Sequence, residues 1–126
     1  MKESAIIVLP LPARVLSPNC PAASMRGRYA KAAAAKRYRK LAREETEQLG
    51  IAKPWNTCTV TAFFFHKTKR RRDDVNHLAM LKPAYDGCVE GGLIVDDSSE
   101  HLKTQTPEFH VDKKNPRVEL VFKRLD

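Results

Sequence analysis

The chain has 126 residues, 42% of them hydrophobic, and this size and composition predict one domain over residues 1–126 with a small core. The 23 Lys and Arg residues outnumber the 15 Asp and Glu residues, so the formal net charge is +8, which indicates a polyanionic partner, nucleic acid before a membrane surface. Because no apolar run reaches the roughly 20 residues of a membrane span, and residues 1–16 do not resemble a secretory signal, we expect no membrane association and a cytoplasmic location.

The first third of the chain predicts a strand, a loop and a long helix. Residues 5–9 are rich in β-branched side chains and apolar on both faces, which predicts a strand that is buried on both sides and ends at Pro10. Four prolines between residues 10 and 24 predict a loop. Ser24 then serves as a candidate N-cap for a helix over residues 25–49, which Gly50 ends.

One side of this helix is basic, and two interpretations stay open for it. The cations chosen as candidate DNA contacts are Lys36, Arg39, Lys40 and Arg43. A charged helix side is commonly just the solvated one. We favour contact with DNA phosphates, because the charges have one sign until Glu44.

The remaining chain predicts further strands and a second helix. Alternation over residues 55–66 predicts a strand, with Cys58, Val60, Ala62 and Phe64 on one face. Residues 75–89 predict a helix that Pro83 kinks just after Lys82. Residues 93–95 predict a short strand, residues 101–111 an edge strand interrupted by Pro107, and residues 117–125 a strand that completes a hairpin with it. The predicted fold is therefore α+β, with a small mixed sheet of about four or five strands packed against two helices.

Residues 69–97 concentrate the charge of the chain. They open on Lys69 and three arginines, Arg70, Arg71 and Arg72, which run into Asp73 and Asp74, and they close on Asp96 and Asp97. Carboxylates are the ligands that hard cations prefer, and a neighbouring cationic run offsets their repulsion of phosphates. The alternative is a solvated turn in which Asp73 or Asp74 caps the next helix. Lys82 and Asp86 likewise have the spacing of a purely structural pair along a helix.

Several separated positions of this stretch agree in order with a known family. They are Arg72-Asp73, Asn76, Lys82, Asp86-Gly87, Gly92 and Asp96-Asp97. This order resembles the RusA-type crossover (Holliday) junction endodeoxyribonucleases of phages and prophages, and the resemblance covers residues 69–102. The chain departs from the family pattern twice: Val75 stands where a second Asp is expected, and Lys82 comes about one helical turn later.

The resemblance implies a homodimer that hydrolyses phosphodiester bonds in four-way junctions, in DNA recombination and repair, with Mg²⁺ or Mn²⁺ as cofactor. Asp73 and Asp97 would be catalytic metal ligands, with Asp74, Asp96 or Asp86 completing the shell. Lys82 would stabilise phosphate charge in the transition state. Branched DNA would be held by Asn76 and by the arginines Arg70, Arg71 and Arg72.

Two other functions stay open. One is a non-catalytic protein that binds branched or duplex DNA and has lost its metal site. The other is a basic protein that binds RNA or an acidic protein partner. Metal-dependent cleavage separates the nuclease from both.

Overall fold

The computed structural model describes residues 3–20, 24–70 and 72–126. Its elements in chain order are β1 (Ser4–Leu9), a 3-10 turn (Arg14–Leu16), α1 (Met25–Gln48), β2 (Cys58–His66), α2 (Asp74–Ala79), α3 (Lys82–Glu90), β3 (Leu102–Thr104), β4 (Glu108–Val111) and β5 (Arg117–Arg124). No helix within the described ranges is both long and apolar enough to cross a membrane.

The five strands form one mixed sheet. Strand β5 lies between β1 and β2 and is antiparallel to both, whereas β3 and β4 pair in parallel with successive parts of the other edge of β2. At the centre of the sheet, Phe122 of β5 is in register with Ala5 and with Val60. The predicted α+β class with a small mixed sheet is confirmed.

The core lies on one side of this sheet, and the helices cover it there. Alternate residues of the strands are buried, including Ile7, Val60, Phe64 and Phe122, and they join buried side chains of α1 and α3 in one cluster. The predicted burial of β1 on both faces is wrong, because Ile6 is 54% exposed and lies on the side without helices. The predicted faces of β2 are confirmed, with Cys58, Val60, Ala62 and Phe64 all buried.

Helix α1 forms as its terminal residues predict. The Ser24 hydroxyl accepts a hydrogen bond from the Gly27 amide at 3.0 Å, which satisfies one of the free donors of the first turn. The residue after the C-cap, Gly50, has a φ of 65°, a left-handed conformation that glycine adopts without steric cost. Tyr38 and Ala42 lie on the buried side of this helix.

The second predicted helix is two helices. The predicted segment 75–89 is interrupted at Met80 and Leu81, before Lys82 and not after it. Pro83 stands in the first turn of α3, where a missing N–H leaves no helical hydrogen bond unmade. Pro83 therefore begins a new helix and does not kink a continuous one.

Two predictions for the last third of the chain are wrong. Residues 93–95 form no strand, and only a single parallel bridge joins Ile94 to Trp55. The predicted hairpin is also absent, because β4 pairs with β2 while β5 lies on the opposite edge of β2. The interruption predicted at Pro107 is confirmed, since this residue separates β3 from β4.

The two longer helices approach closely at two glycines. A Cβ atom on Gly87 would overlap the backbone oxygen of Arg39 and lie 2.8 Å from the Ala42 Cβ, and one on Gly91 would lie 2.6 Å from the Thr46 Cβ. Such distances are below van der Waals contact, so α3 can pack at this depth against α1 only without side chains at both positions.

Replacing Gly87 with Ala is predicted to destabilise the fold by about 1–3 kcal/mol through overpacking, although Ala favours a helix by about 1 kcal/mol relative to Gly. Urea unfolding of the two proteins measures the difference. A second change, Ala42→Gly, should not restore stability, because the nearest obstruction is a backbone atom of Arg39. As a control, Ala33→Ser on the exposed side of α1 should shift stability by less than about 0.5 kcal/mol. Unchanged stability of Gly87→Ala would contradict the close approach.

Candidate functional site

Asp73 begins helix α2 as its N-cap. Its Oδ1 accepts hydrogen bonds from the amides of Val75 at 2.9 Å and Asn76 at 3.3 Å, and its Oδ2 accepts one from the Asn76 side chain at 3.3 Å. The interpretation of Asp73 as a cap is therefore confirmed, and Asn76, a predicted DNA contact, holds the Asp73 carboxylate. Asp74 follows as an exposed residue of the first turn. Val75, at the position of the family's second acid, is 75% exposed.

Lys82, Asp86 and Asp97 form a second group at the start of α3. The Lys82 ammonium donates to Asp86 Oδ1 at 2.7 Å and also to Asp97 Oδ2. These two hydrogen bonds, the one to Asp86 first, raise the pKa of Lys82. The pairing expected from the spacing of Lys82 and Asp86 is thus confirmed, and the fold adds Asp97 to it. Two carboxylates from different segments therefore converge on one cationic atom.

The converging carboxylates border open surface on both sides. A depression of about 560 Å³ lies beside Lys82 and Asp97 and is also lined by Tyr85 and Ser98. A second groove, of about 390 Å³, runs between α1 and α3, with Asp86 on one wall and Lys36 and Arg39 on the other. An extended ligand thus has access to the acidic pair from either side, and one approach is lined by cations.

Carboxylate oxygens are suitable ligands for a hard divalent cation, and two of them already point to one position here. Within residues 3–20, 24–70 and 72–126, no three His, Cys, Asp or Glu side chains lie close enough together to hold a metal ion. Of the four predicted metal ligands, Asp97 has Asp86 as its neighbour across Lys82, and Asp73 caps α2. Asp96 is exposed, and hydrogen bonds from Ser98 and from the Asp97 backbone lower its pKa.

The basic side of α1 is largely paired with acids. Arg39 lies 3.3 Å from Glu90, which also lies 3.8 Å from Arg43. Lys40 pairs with Glu44 at 3.9 Å along the helix. Lys36 has no such partner in the described part of the chain, and it faces the groove toward Asp86. Of the four predicted DNA contacts on this helix, Lys36 is therefore the one whose charge is not already offset nearby.

The basic run after β2 folds back on itself. Lys69 and Arg70 are exposed, and the guanidinium of Arg72 donates to the Thr68 carbonyl at 3.0 Å. Burial, followed by the charge of Arg70, lowers the pKa of Arg72. The predicted DNA contact Arg71 lies outside the described residues. The turn thus presents several cations together at the end of the central strand.

Sequence reasoning missed an aromatic cluster that joins this turn to the start of α2. The rings of Phe64, His66, His77 and Phe109 pack together, with His77 5.3 Å from His66 and 4.9 Å from Phe109 between centroids. His77 Nδ1 lies 2.9 Å from the Asp73 carbonyl oxygen, which can only accept, so this nitrogen donates. Alternation along β2 places His66 on the face of Phe64, but no local pattern reveals that Phe109 lies beside them.

The environment of His66 opposes its protonation. Burial, the nearby charge of Arg72 and the neighbouring His77 lower the pKa of His66 to about 4. Its imidazole is therefore neutral at pH 7, and each ring nitrogen can act as only a donor or only an acceptor.

Comparison of the sequence with models of known protein families found no match, and comparison with curated proteins found none either. The family resemblance described above therefore depends on the order of a few residues within positions 69–102, with a weaker likeness in residues 7–10 and in the last strands. The structure defines the class of the chain as an α+β protein that carries an acidic pair and a basic turn on neighbouring elements.

The depressed pKa of His66 predicts acid sensitivity. Because the folded pKa is about 4 and the ordinary value is 6.5, this residue's contribution to stability is complete above pH 6.5 and is lost as the pH falls toward 4. His66→Phe, which keeps an aromatic ring in the cluster, should lose less stability than the wild type between pH 7.5 and 5.0. Urea unfolding at the two pH values measures this difference. Equal losses in both proteins would show that His66 does not supply the sensitivity.

Proposed function

We propose that the protein is a Mg²⁺-dependent endodeoxyribonuclease, with Mn²⁺ as a possible substitute, that cuts branched DNA such as four-way junctions. The observation that carries the proposal is the convergence of Asp86 and Asp97 on the Lys82 ammonium, beside a groove lined by Lys36 and Arg39. The resemblance of residues 69–102 to RusA-type junction nucleases supports the same activity. Resolution of junctions in DNA recombination or repair, in the cytoplasm, follows as the proposed role.

The acidic side chains would hold the cation. Asp97 and Asp86 supply oxygens directed to a common position, and Asp73, with Asp74 or Asp96, would have to move toward them on metal binding, because no three such ligands already lie together among the described residues. Asp73 retains acceptor capacity, because a carboxylate can accept about four hydrogen bonds and Asp73 accepts three. When bound, Mg²⁺ would lower the pKa of a coordinated water and stabilise charge on the scissile phosphate.

The basic side chains would bind and orient the strand. Lys82 lies between two carboxylates, and with a phosphate in the site its ammonium can turn toward the phosphate oxygens as a point charge. Arg70 and Arg72 would hold the backbone near the start of α2, and Lys36 would do so across the groove from Asp86. Asn76 would act by orienting Asp73 as well as by contacting DNA.

A homodimer is part of this proposal. A four-way junction has two symmetry-related strands to cut, and a two-fold assembly presents paired sites to them. The resemblance to the RusA-type family implies the same arrangement.

A second candidate function is a branched-DNA-binding protein without catalysis. It is favoured by the Lys82 ammonium, which already pairs with both Asp86 and Asp97 at the position that a metal ion would take. In that function the acidic pair would be structural, and the cations alone would determine affinity.

Asp97→Asn is predicted to reduce cleavage of a synthetic four-way junction in Mg²⁺ by about 100-fold or more, the scale for removing one group that stabilises a transition state. The side chain keeps its size but loses the charge that a hard cation needs. Junction binding, measured by fluorescence anisotropy in Ca²⁺ or without metal, should persist or strengthen, because a negative charge near phosphates is removed.

Glu100→Gln is the matched control, since it removes one exposed carboxylate three residues away. It should cut at the wild-type rate. Asp86→Asn should be as impaired as Asp97→Asn, and the double variant scarcely more, because groups that act as a unit are not additive. Cleavage by Asp97→Asn at the unmodified rate would exclude the nuclease mechanism and favour the second candidate function.

The two kinds of cation on α1 predict different salt dependence. Lys36→Gln should reduce the slope of log affinity against log salt by about 1, the value for one lost phosphate contact. Arg43→Gln should change the slope less, because Glu90 and Glu47 already offset the Arg43 charge. Junction binding at several salt concentrations measures both slopes. Equal slopes for the wild type and Lys36→Gln would place the DNA away from the α1–α3 groove.

A further inference from the structure

A cleft separate from the acidic pair lies where β2 and β4 end side by side. It has a volume of about 140 Å³, and its polar lining consists of His66, Thr68, Lys69, Arg70, Arg72 and His110. Phe64 and Phe109, which are in register on these two strands, stack at 5.4 Å and support the His66 ring from below the cleft. Lys69, Arg70 and Arg72 therefore line a pocket beside a histidine that packs on two aromatic rings.

The cations of this cleft are not paired with acids in the described part of the chain, and the carboxylate of Glu108 contacts only the lining residue His110, at 3.3 Å. Lys69, Arg70 and Arg72 make no ion pair with a carboxylate within residues 3–20, 24–70 and 72–126. Arg72 is instead held by its bond to the Thr68 carbonyl, close enough to Arg70 for the two charges to oppose each other. Like charges held together raise the local potential, so an anion between them gains from each.

His66, which lines the cleft, carries an unsatisfied polar atom. His66 Nε2 is buried and has no hydrogen-bond partner in the described part of the chain. A buried polar atom without a partner costs free energy, which a ligand oxygen can recover if it accepts from this nitrogen. The His66 ring is fixed by its packing on Phe64 and His77, so this nitrogen is already oriented.

We propose that this cleft binds one phosphate group of a nucleic-acid strand, with Arg70, Arg72 and Lys69 on its oxygens and His66 at its floor. The volume equals roughly four to five water molecules at about 30 Å³ each, which suits a phosphate group and is too small for a whole nucleotide. The identity of the strand rests on the proposed function. His77 joins the floor of the cleft to the backbone of Asp73, so the bound phosphate anchors the strand beside the start of α2.

Inorganic phosphate is the direct probe. Added at constant pH and ionic strength, with chloride as the reference anion, it should shift the imidazole ¹⁵N signals of His66 and His110 along a saturable curve. Arg70→Gln should weaken this binding by about 10-fold, the loss of one charge-assisted contact. Arg14→Gln, which removes an exposed arginine from the 3-10 turn, should leave it unchanged. No saturable shift at His66 and His110, or the same affinity in Arg70→Gln, overturns the proposal.

The source of the phosphate is resolved with one DNA strand prepared with a 5′-phosphate and with a 5′-hydroxyl. If the phosphorylated form binds more tightly and Arg70→Gln removes this difference, the cleft binds the 5′ end of a strand. If both forms bind equally and Arg70→Gln weakens the binding of both, the cleft binds a backbone phosphate. Either result supports the proposal, and binding that Arg70→Gln leaves unchanged contradicts it.

The test of the phosphate cleft can fail or succeed independently of the test of the nuclease function. Phosphate binding in the cleft without metal-dependent cleavage of the junction supports the cleft and counts against the proposed function. If Asp97→Asn abolishes cleavage but phosphate causes no shift at His66, the proposed phosphate cleft is contradicted and the proposed nuclease function is still supported.

Discussion

The close approach of α3 to α1 is the constraint on which the position of the acidic pair depends. Because neither Gly87 nor Gly91 carries a side chain, the C-terminal half of α3 lies with its backbone against α1, which fixes the position of this helix. The middle of α3 then places Asp86 across a groove from Lys36, and its last residue, Glu90, bridges Arg39 and Arg43. A helix held by larger side chains would stand further out, and the groove between the cations and the acid would widen. The glycines thus set the width of the proposed strand path as well as the packing of the core.

Strand β2 provides the second fixed frame, because every other strand except β1 pairs with it directly. It ends at His66, so the turn that follows starts from a strand bonded on both edges, to β4 and to β5. The aromatic cluster then ties this end of the sheet to α2 through His77 and the Asp73 carbonyl. Cations on a flexible loop lose part of their binding free energy because the loop must become ordered on binding. Cations next to the end of a packed strand lose less.

Local patterns in the sequence predicted the elements but not all of their partners. The faces of β2 and the capped helix α1 followed from local patterns, which depend on neighbours in the chain. Strand pairing depends on distant segments, and the hairpin predicted for residues 101–125 failed for that reason, since β4 is parallel to β2. The same distinction between local and distant contacts applies to the candidate site. The spacing along the helix predicted the pair Lys82–Asp86. The approach of Asp97 depends on the turn at Gly91 and Gly92, and the cleft of His66 and His110 depends on the pairing of β2 with β4, which was not predicted.

The net charge of +8 says little about where a polyanion binds, because the binding position also depends on which cations are already paired with acids. Arg39, Lys40 and Arg43 have acidic neighbours, so their removal would also release a carboxylate. Among the predicted DNA contacts that the structure describes, the cations without such neighbours are Arg70 and Arg72 in the cleft at the end of β2 and Lys36 on the groove wall. In the chain, the basic run of the cleft is followed by α2, which at six residues is about 9 Å long, and then, after Met80 and Leu81, by Lys82 at the start of α3. Asp86 shares its groove with Lys36, so a strand bound by that lysine in the proposed function would lie beside the acidic pair, and this unpaired cation says more about the proposed strand path than the total charge does.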